Sequence, residues 1–111
     1  MKKIFLIILV FLIPKISSGK LSGSFYIYGI GNKSCGSFIK EQNNEFFQAD
    51  FRGWLFGYAT GLSFMLGEDV LKNKDGPALE IWLKNYCSKN PLNKFSDGVL
   101  ELIGELRKNN K

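Results

Sequence analysis

Apolar residues recur every three or four positions along most of this chain, and that spacing constrains its fold more than any other feature. Residues spaced in this way share one face of an α-helix and form a stripe that folding buries. Period-two alternation, which is typical of a half-buried strand, occurs only weakly over residues 25–28. The sequence therefore predicts an all-α domain. The stripes of its four predicted helices are Cys35, Phe38 and Ile39; Phe51, Trp54, Leu55, Tyr58, Leu62 and Met65; Leu79, Trp82, Leu83, Tyr86 and Cys87; and Phe95, Val99, Leu102, Ile103 and Leu106.

Capping and breaking residues indicate where these helices begin and end. The first helix is predicted over residues 34–43, and the second has Asp50 as its expected N-cap and Gly67 at its end. The third is expected to begin at Asp75 with Pro77 in its first turn and to stop at Asn90, before the fourth begins near residue 93. Because the connections are short, these helices are expected to form one small four-helix bundle-like domain.

The N-terminus has the pattern of a secretory signal peptide. Lys2 and Lys3 form a positive start, residues 4–13 are an uninterrupted apolar run, and small residues follow up to Gly19. A membrane-spanning helix needs about 20 apolar residues, so this run is too short for a stable anchor. We therefore expect a signal peptide over residues 1–19, a single helical domain over residues 20–111, and a periplasmic or secreted protein with no stable membrane insertion after cleavage.

The distribution of charge argues against a nucleic-acid partner. The chain has 15 Lys and Arg against 10 Asp and Glu, a formal net charge of +5, but Lys2, Lys3 and Lys15 belong to the predicted signal peptide, which leaves +2. The other basic residues are interleaved with acidic ones, whereas a phosphate-binding surface needs them clustered on one face. A solvated surface of mixed charge is therefore the expectation.

The two cysteines predict a structural crosslink. An even pair in an exported chain is typical of a disulfide, and Cys35 and Cys87 both lie on apolar helix faces, so the bridge is expected to be buried. In the chain-entropy model, closing a loop of about 50 residues stabilises a domain by roughly 4 kcal/mol. A redox or nucleophilic thiol would need a CxxC pair or a neighbouring base, and this sequence offers neither.

The sequence contains no histidine, and this absence bears on catalysis and metal binding. Histidine is the commonest general base and a frequent zinc ligand. No other set of residues in the sequence supplies both a nucleophile and a base. We therefore predict a protein that is not an enzyme, with no catalytic residue, no metal ligand and no cofactor.

The second predicted helix carries a stripe of glycines. Gly53, Gly57 and Gly61 recur every four residues, although each glycine inside a helix costs about 1 kcal/mol of helix propensity. Close packing of another helix is the expected reason for this stripe. A ligand groove over the bare backbone, with Trp54 and Tyr58 at its edge, is the alternative.

Four stretches in a fixed order resemble known exported proteins. SCGSFI, WLFGYATGLSFMLG, WLKNYCSKNPL and DGVLELIGEL cover most of residues 34–106. They combine a cysteine at the start of the first helix, a second helix rich in glycine and aromatic residues, and a Tyr-Cys-x-x-Asn-Pro stop before the last helix. This arrangement resembles the HdeA periplasmic acid chaperones and the Tai-type immunity proteins that inhibit type VI secretion amidase effectors. The resemblance implies a non-enzymatic binding protein with a Cys35–Cys87 bridge.

Two functional hypotheses follow from these observations. Of the chain's ten Phe, four Tyr and two Trp, fourteen lie outside the predicted signal peptide. A small bundle is not expected to bury all of them, so some aromatic surface is expected to face a protein or peptide partner. The first hypothesis is a chaperone-like or inhibitor-like module that binds through the surface around Trp54, Tyr58 and Phe64. The alternative is a groove for a small molecule or cell-wall fragment, with Gly53, Gly57 and Gly61 at its floor. Whether the chain forms a homodimer stays open at this point.

Overall fold

The described part of the chain folds into four α-helices. The computed structural model describes residues 25–109, and the predicted signal peptide lies outside that range. No β-strand occurs between residues 25 and 109, and the expected all-α, four-helix fold is confirmed. A 3-10 turn over Gly29–Asn32 precedes the helices, which are α1 (Cys35–Lys40), α2 (Glu45–Leu66), α3 (Gly76–Lys89) and α4 (Phe95–Asn109).

Several helix ends are fixed by the residues that the sequence indicated. Asp75 caps α3, because its side chain accepts a hydrogen bond of 2.7 Å from the backbone N–H of Ala78. The same helix ends at Asn90. Gly67 ends α2 in the left-handed conformation, with φ of 67°, which favours glycine because it has no Cβ. These three predictions are confirmed.

Two predicted boundaries are wrong. The cap of α2 is Asn44, whose side chain accepts hydrogen bonds from the N–H groups of Phe46 and Phe47, so the helix starts before Asp50 and includes it. The rings of Phe46 and Phe47 are exposed, so this first turn adds nothing to the apolar stripe from which the helix was predicted. The other error concerns α1, which ends at Lys40 and is followed by a turn over residues 41–43.

A disulfide and backbone hydrogen bonds join the start of α1 to the chain around the end of α3. Cys35 and Cys87 are bonded, as predicted, and both are fully buried. Beside this bridge, the N–H of Cys35 donates to the carbonyl of Asn93 at 2.7 Å, and the N–H of Gly36 donates to the carbonyl of Pro91 at 2.9 Å. The first N–H groups of a helix have no partner within it. The segment after α3 satisfies two of those of α1, and the side chain of Ser34 accepts from the N–H of Ser37.

Three phenylalanines form the centre of the hydrophobic core. Phe38 of α1, Phe51 of α2 and Phe95 of α4 are buried, and their ring centroids lie 4.7–4.9 Å apart. These distances are typical of tilted and edge-to-face aromatic pairs. From α2 only one stripe enters the core, formed by Phe51, Leu55 and Ala59. The opposite side of this 22-residue helix is therefore available for other contacts.

Candidate binding face

The segment before the 3-10 turn is held against α2 by a tryptophan. The indole N–H of Trp54 donates to the carbonyl of Tyr28 at 2.9 Å. Gly31 is buried directly against the same indole ring, and a Cβ built on this glycine would overlap it. Gly29 adopts a φ of 79°, which allows the chain to turn there. Glycines at both positions therefore let the turn close tightly over Trp54.

A groove lies between this segment and α2. It is an open cavity of about 500 Å³ whose walls are residues 25–28 on one side and Trp54 and Tyr58 on the other, with Gly53 and Gly57 also lining it. The rings of Trp54 and Tyr58 stack in parallel, with centroids 5.4 Å apart. The groove is therefore lined almost entirely by aromatic rings and by glycine backbone.

The side of α2 that faces away from the core is apolar and exposed. Phe64 is 89% exposed and Phe46 is 75% exposed. From Gly53 to Gly67 the chain contains no charged residue. Large apolar side chains grouped on a surface with few charges are typical of interaction sites in folded proteins. We call this surface the outer face of α2. Asp50 is its one charged residue, and its other residues are Phe46, Ala49, Gly53, Phe56, Gly57, Thr60, Gly61 and Phe64.

The glycine stripe lies on this outer face, and no other helix between residues 25 and 109 covers it. A Cβ built on Gly53, Gly57 or Gly61 meets no atom within 4 Å. The expectation of close helix packing is therefore wrong for the part of the chain that the structure describes. Helical spacing correctly placed the three glycines on one face, but it carried no information about what lies opposite that face.

The predicted binding residues fall into two groups. Trp54, Tyr58 and Gly57 come together at the groove, whereas Gly61 and Phe64 lie farther along the outer face. Whether any of them binds a partner stays a prediction. Met65 was expected in the buried stripe but is 83% exposed, because the buried stripe of α2 runs through Leu55 and Ala59 and leaves Met65 on the helix flank.

Sequence analysis did not single out one end of the outer face. Phe46 belongs to the first turn of α2, which was predicted to lie before the helix. Asn44 followed by Glu45 was the available signal, because Asn is a preferred N-cap and an acidic residue is favourable in the first turn. Because α2 begins at Glu45, it includes both Phe46 and Phe64, which lie about five helical turns apart on the same side of the helix.

A second cavity is polar and lies elsewhere. It has a volume of about 670 Å³ and is lined by the loop after α2 and by Arg107 of α4. Arg107 donates to the carboxylate of Glu68 across it. Among residues 25–109, no group of three or more acidic or cysteine side chains is arranged to hold a metal ion. Within that range every buried side-chain nitrogen and oxygen has a hydrogen-bond partner.

Comparison with known proteins leaves the function to be argued from this geometry. No family model matches the chain, and neither a curated protein nor a solved structure is significantly similar to it. The likeness to the HdeA chaperones and the Tai-type immunity proteins stays an expectation. None of the helices between residues 25 and 109 has the length and apolar character needed to cross a membrane.

Proposed function

We propose that this chain is an exported, non-enzymatic protein-binding module that uses the outer face of α2. The observation that carries this proposal is the row of exposed apolar side chains along α2, which has no charged residue from Gly53 to its end. Transfer of this surface from water into an interface is favourable by about 25 cal/mol per Å² of apolar area. The buried Cys35–Cys87 disulfide is compatible with export, because such bonds persist in oxidising compartments.

Phe64 is the residue on which recognition is expected to depend most. Its ring is almost fully exposed, and it lies beyond the glycines, where nothing within residues 25–109 shields it. Aromatic side chains that fill a partner's pocket contribute a large share of the binding free energy at interfaces. A chaperone-like role would use this ring on unfolded segments, and an inhibitor-like role would use it on one folded partner.

A partner-recovery experiment with matched variants tests the proposal. The mature chain, residues 20–111, is immobilised and exposed to cell-envelope extract, alongside Phe64→Ser and the control Leu92→Ser. Leu92 is 96% exposed and lies between α3 and α4, so its substitution removes a similar apolar area elsewhere. A single stoichiometric partner supports the inhibitor-like form, and many unfolded proteins support the chaperone-like form.

The expected result is that the proteins retained by the unmodified chain are also retained by Leu92→Ser and are lost with Phe64→Ser. A purified partner should bind the Phe64→Ser variant at least about tenfold more weakly, since loss of an aromatic hot-spot residue costs about 2 kcal/mol or more. Equal retention by the unmodified chain and Phe64→Ser would refute the proposed role of this face.

The groove supports a second candidate function, the binding of a small molecule or cell-wall fragment. Its volume of about 500 Å³ lies within the range of small-molecule sites, and aromatic walls are common in such sites. The methyl group of Gly57→Ala would meet no atom of the described residues within 4 Å, so this substitution should not destabilise the free protein. Purified muropeptides should raise the melting temperature of the unmodified chain but not that of Gly57→Ala. If they raise neither, this candidate is rejected.

A further inference from the structure

We infer that the C-terminal end of α2 attaches this protein to the surface of a lipid bilayer that contains anionic phospholipids. This inference goes beyond the proposed function, because it assigns a lipid partner to the end of the helix, whereas the proposed function assigns a protein partner to its outer face. It is carried by the exposure of Phe64, Met65 and Leu66, which we call the apolar tip, and by the charges of the loop that follows.

The apolar tip projects beyond the hydrophobic core. The last buried residue of α2 is Ala59, and residues 64–69 are all exposed. Successive residues of a helix point about 100° apart, so the three side chains of the tip surround more than half of the helix. Their exposed fractions are 89% for Phe64, 83% for Met65 and 43% for Leu66.

This shape suits a lipid phase better than a protein groove. A folded partner that takes up a helix contacts one side of it, along residues three or four positions apart. A bilayer is fluid and can surround a projecting helix end, so all three side chains can leave water together. Apolar side chains of surface-attached proteins enter the boundary between headgroups and acyl chains by about 5–10 Å. Since no residue from Gly53 to Gly67 is charged, the tip reaches that depth without burying a charge.

The loop after the apolar tip offers ammonium groups to lipid phosphates. It lines the polar cavity of about 670 Å³, whose charged residues are Glu68, Asp69, Lys72, Lys74 and Arg107, an excess of one positive charge. Glu68 accepts from Arg107, and Asp69 accepts from the N–H of Leu71 in its own loop. Lys72 and Lys74 have no ion-pair partner among residues 25–109. These two lysines are therefore the charged groups of the cavity that are free to pair with a phosphate.

The apolar tip and the two lysines together predict a preference among lipids. The tip gains free energy by entering any fluid bilayer, because its side chains leave water. The lysines add attraction only where the lipids carry net negative charge, and two lysines close to such a surface strengthen binding roughly 30-fold.

Flotation of the mature chain with lipid vesicles tests this inference. The vesicles are made of phosphatidylcholine alone or of an equal mixture of phosphatidylcholine and phosphatidylglycerol. Met65→Ser shortens the apolar tip, and Lys72→Gln/Lys74→Gln removes the ammonium groups. Met65 is chosen because it lies outside the outer face of α2, so its substitution leaves the proposed protein-binding surface in place.

Two control variants change equally exposed residues elsewhere in the fold. Leu92→Ser removes an apolar side chain between α3 and α4, and Lys40→Gln/Lys89→Gln removes two ammonium groups at the ends of α1 and α3. Because all of the substituted residues are exposed, every variant is expected to fold. Circular dichroism checks that each one keeps its helices.

The unmodified chain and both controls are expected to bind the mixed vesicles with equal affinity. Met65→Ser should bind them at least about tenfold more weakly, because a tenfold change corresponds to about 60 Å² of apolar area and an exposed methionine presents more than that. Lys72→Gln/Lys74→Gln should bind them roughly 30-fold more weakly and should bind phosphatidylcholine vesicles as the unmodified chain does.

Three results would overturn the inference. They are the absence of binding to mixed vesicles, equal binding by the unmodified chain and Met65→Ser, and equal binding by the unmodified chain and Lys72→Gln/Lys74→Gln. A Met65→Ser variant that loses a protein from cell-envelope extract but keeps its vesicle binding would make the tip a protein site and would also refute a lipid partner. Recovery of a Phe64-dependent partner is measured separately, so the proposed function does not fail with this inference.

Discussion

Removal of the Cys35–Cys87 disulfide gives the most direct measure of what holds this domain together. The two cysteines are 52 positions apart, and closing a loop of that length lowers the entropy of the unfolded chain by an amount worth about 4 kcal/mol. A domain of this size has a total free energy of unfolding of roughly 5–12 kcal/mol. We therefore expect the protein without the crosslink to retain between about one fifth and two thirds of its stability.

Two forms without the crosslink separate its contribution from that of the sulfur atoms. Reduced, unalkylated protein loses the covalent bond but keeps both thiols in the core. The variant Cys35→Ala/Cys87→Ala loses the covalent bond and also the packing of two fully buried sulfur atoms. Urea unfolding followed by far-ultraviolet circular dichroism should show a midpoint lowered by about 2–4 M for the reduced protein, if the m-value is about 1–2 kcal/mol/M. The double variant should unfold at a still lower concentration.

The result that would refute this reasoning is a loss of less than about 1 kcal/mol in the reduced protein, far below the loop-closure value. The backbone hydrogen bonds from Cys35 to Asn93 and from Gly36 to Pro91 would then hold the two segments together without the covalent bond. The oxidised and reduced proteins have the same side chains and differ only in the covalent bond, so their comparison isolates the crosslink.

Two further substitutions test local features of the fold. Gly31→Ala should lower the free energy of unfolding by about 1–3 kcal/mol, because its methyl group would overlap the ring of Trp54. The control Gly104→Ala, where a Cβ meets nothing within 4 Å among the described residues, should raise the free energy of unfolding by up to about 1 kcal/mol. Urea unfolding measures both changes. Gln48→Met should lower the free energy of unfolding by about 1–3 kcal/mol, because Gln48 is buried and its amide donates to the carbonyls of Phe38 and Glu41 around the end of α1. The exposed Gln42→Met is its control, and equal stability of these two variants would contradict the assignment.

The helices were largely predictable from the sequence because two independent signals agreed in them. The apolar stripe of α3 coincided with Asp75 and Pro77 at its start and Asn90 at its end, and the structure has all three at those places. In α2 the signals disagreed. The first turn contains exposed phenylalanines, so its start depended on the cap at Asn44 alone.

The candidate site was less predictable, because one sequence does not specify what a helix face meets. Gly53, Gly57 and Gly61 were correctly placed on one side of α2, but their expected packing partner is not there. The groove depends on the hydrogen bond between Trp54 and Tyr28, which joins residues 26 positions apart. No local spacing encodes a contact of that separation.

The two tryptophans give this protein a pair of native spectroscopic probes. The indole N–H of Trp54 is bonded to a backbone carbonyl beside the groove, whereas that of Trp82 is bonded to the carboxylate of Glu105 at 2.7 Å, between α3 and α4. Each indole N–H gives its own proton NMR resonance, so the two environments can be followed separately in one spectrum. A ligand, a partner or a second copy that contacts the groove region should shift the resonance of Trp54, while that of Trp82 serves as an internal reference for an undisturbed helical core.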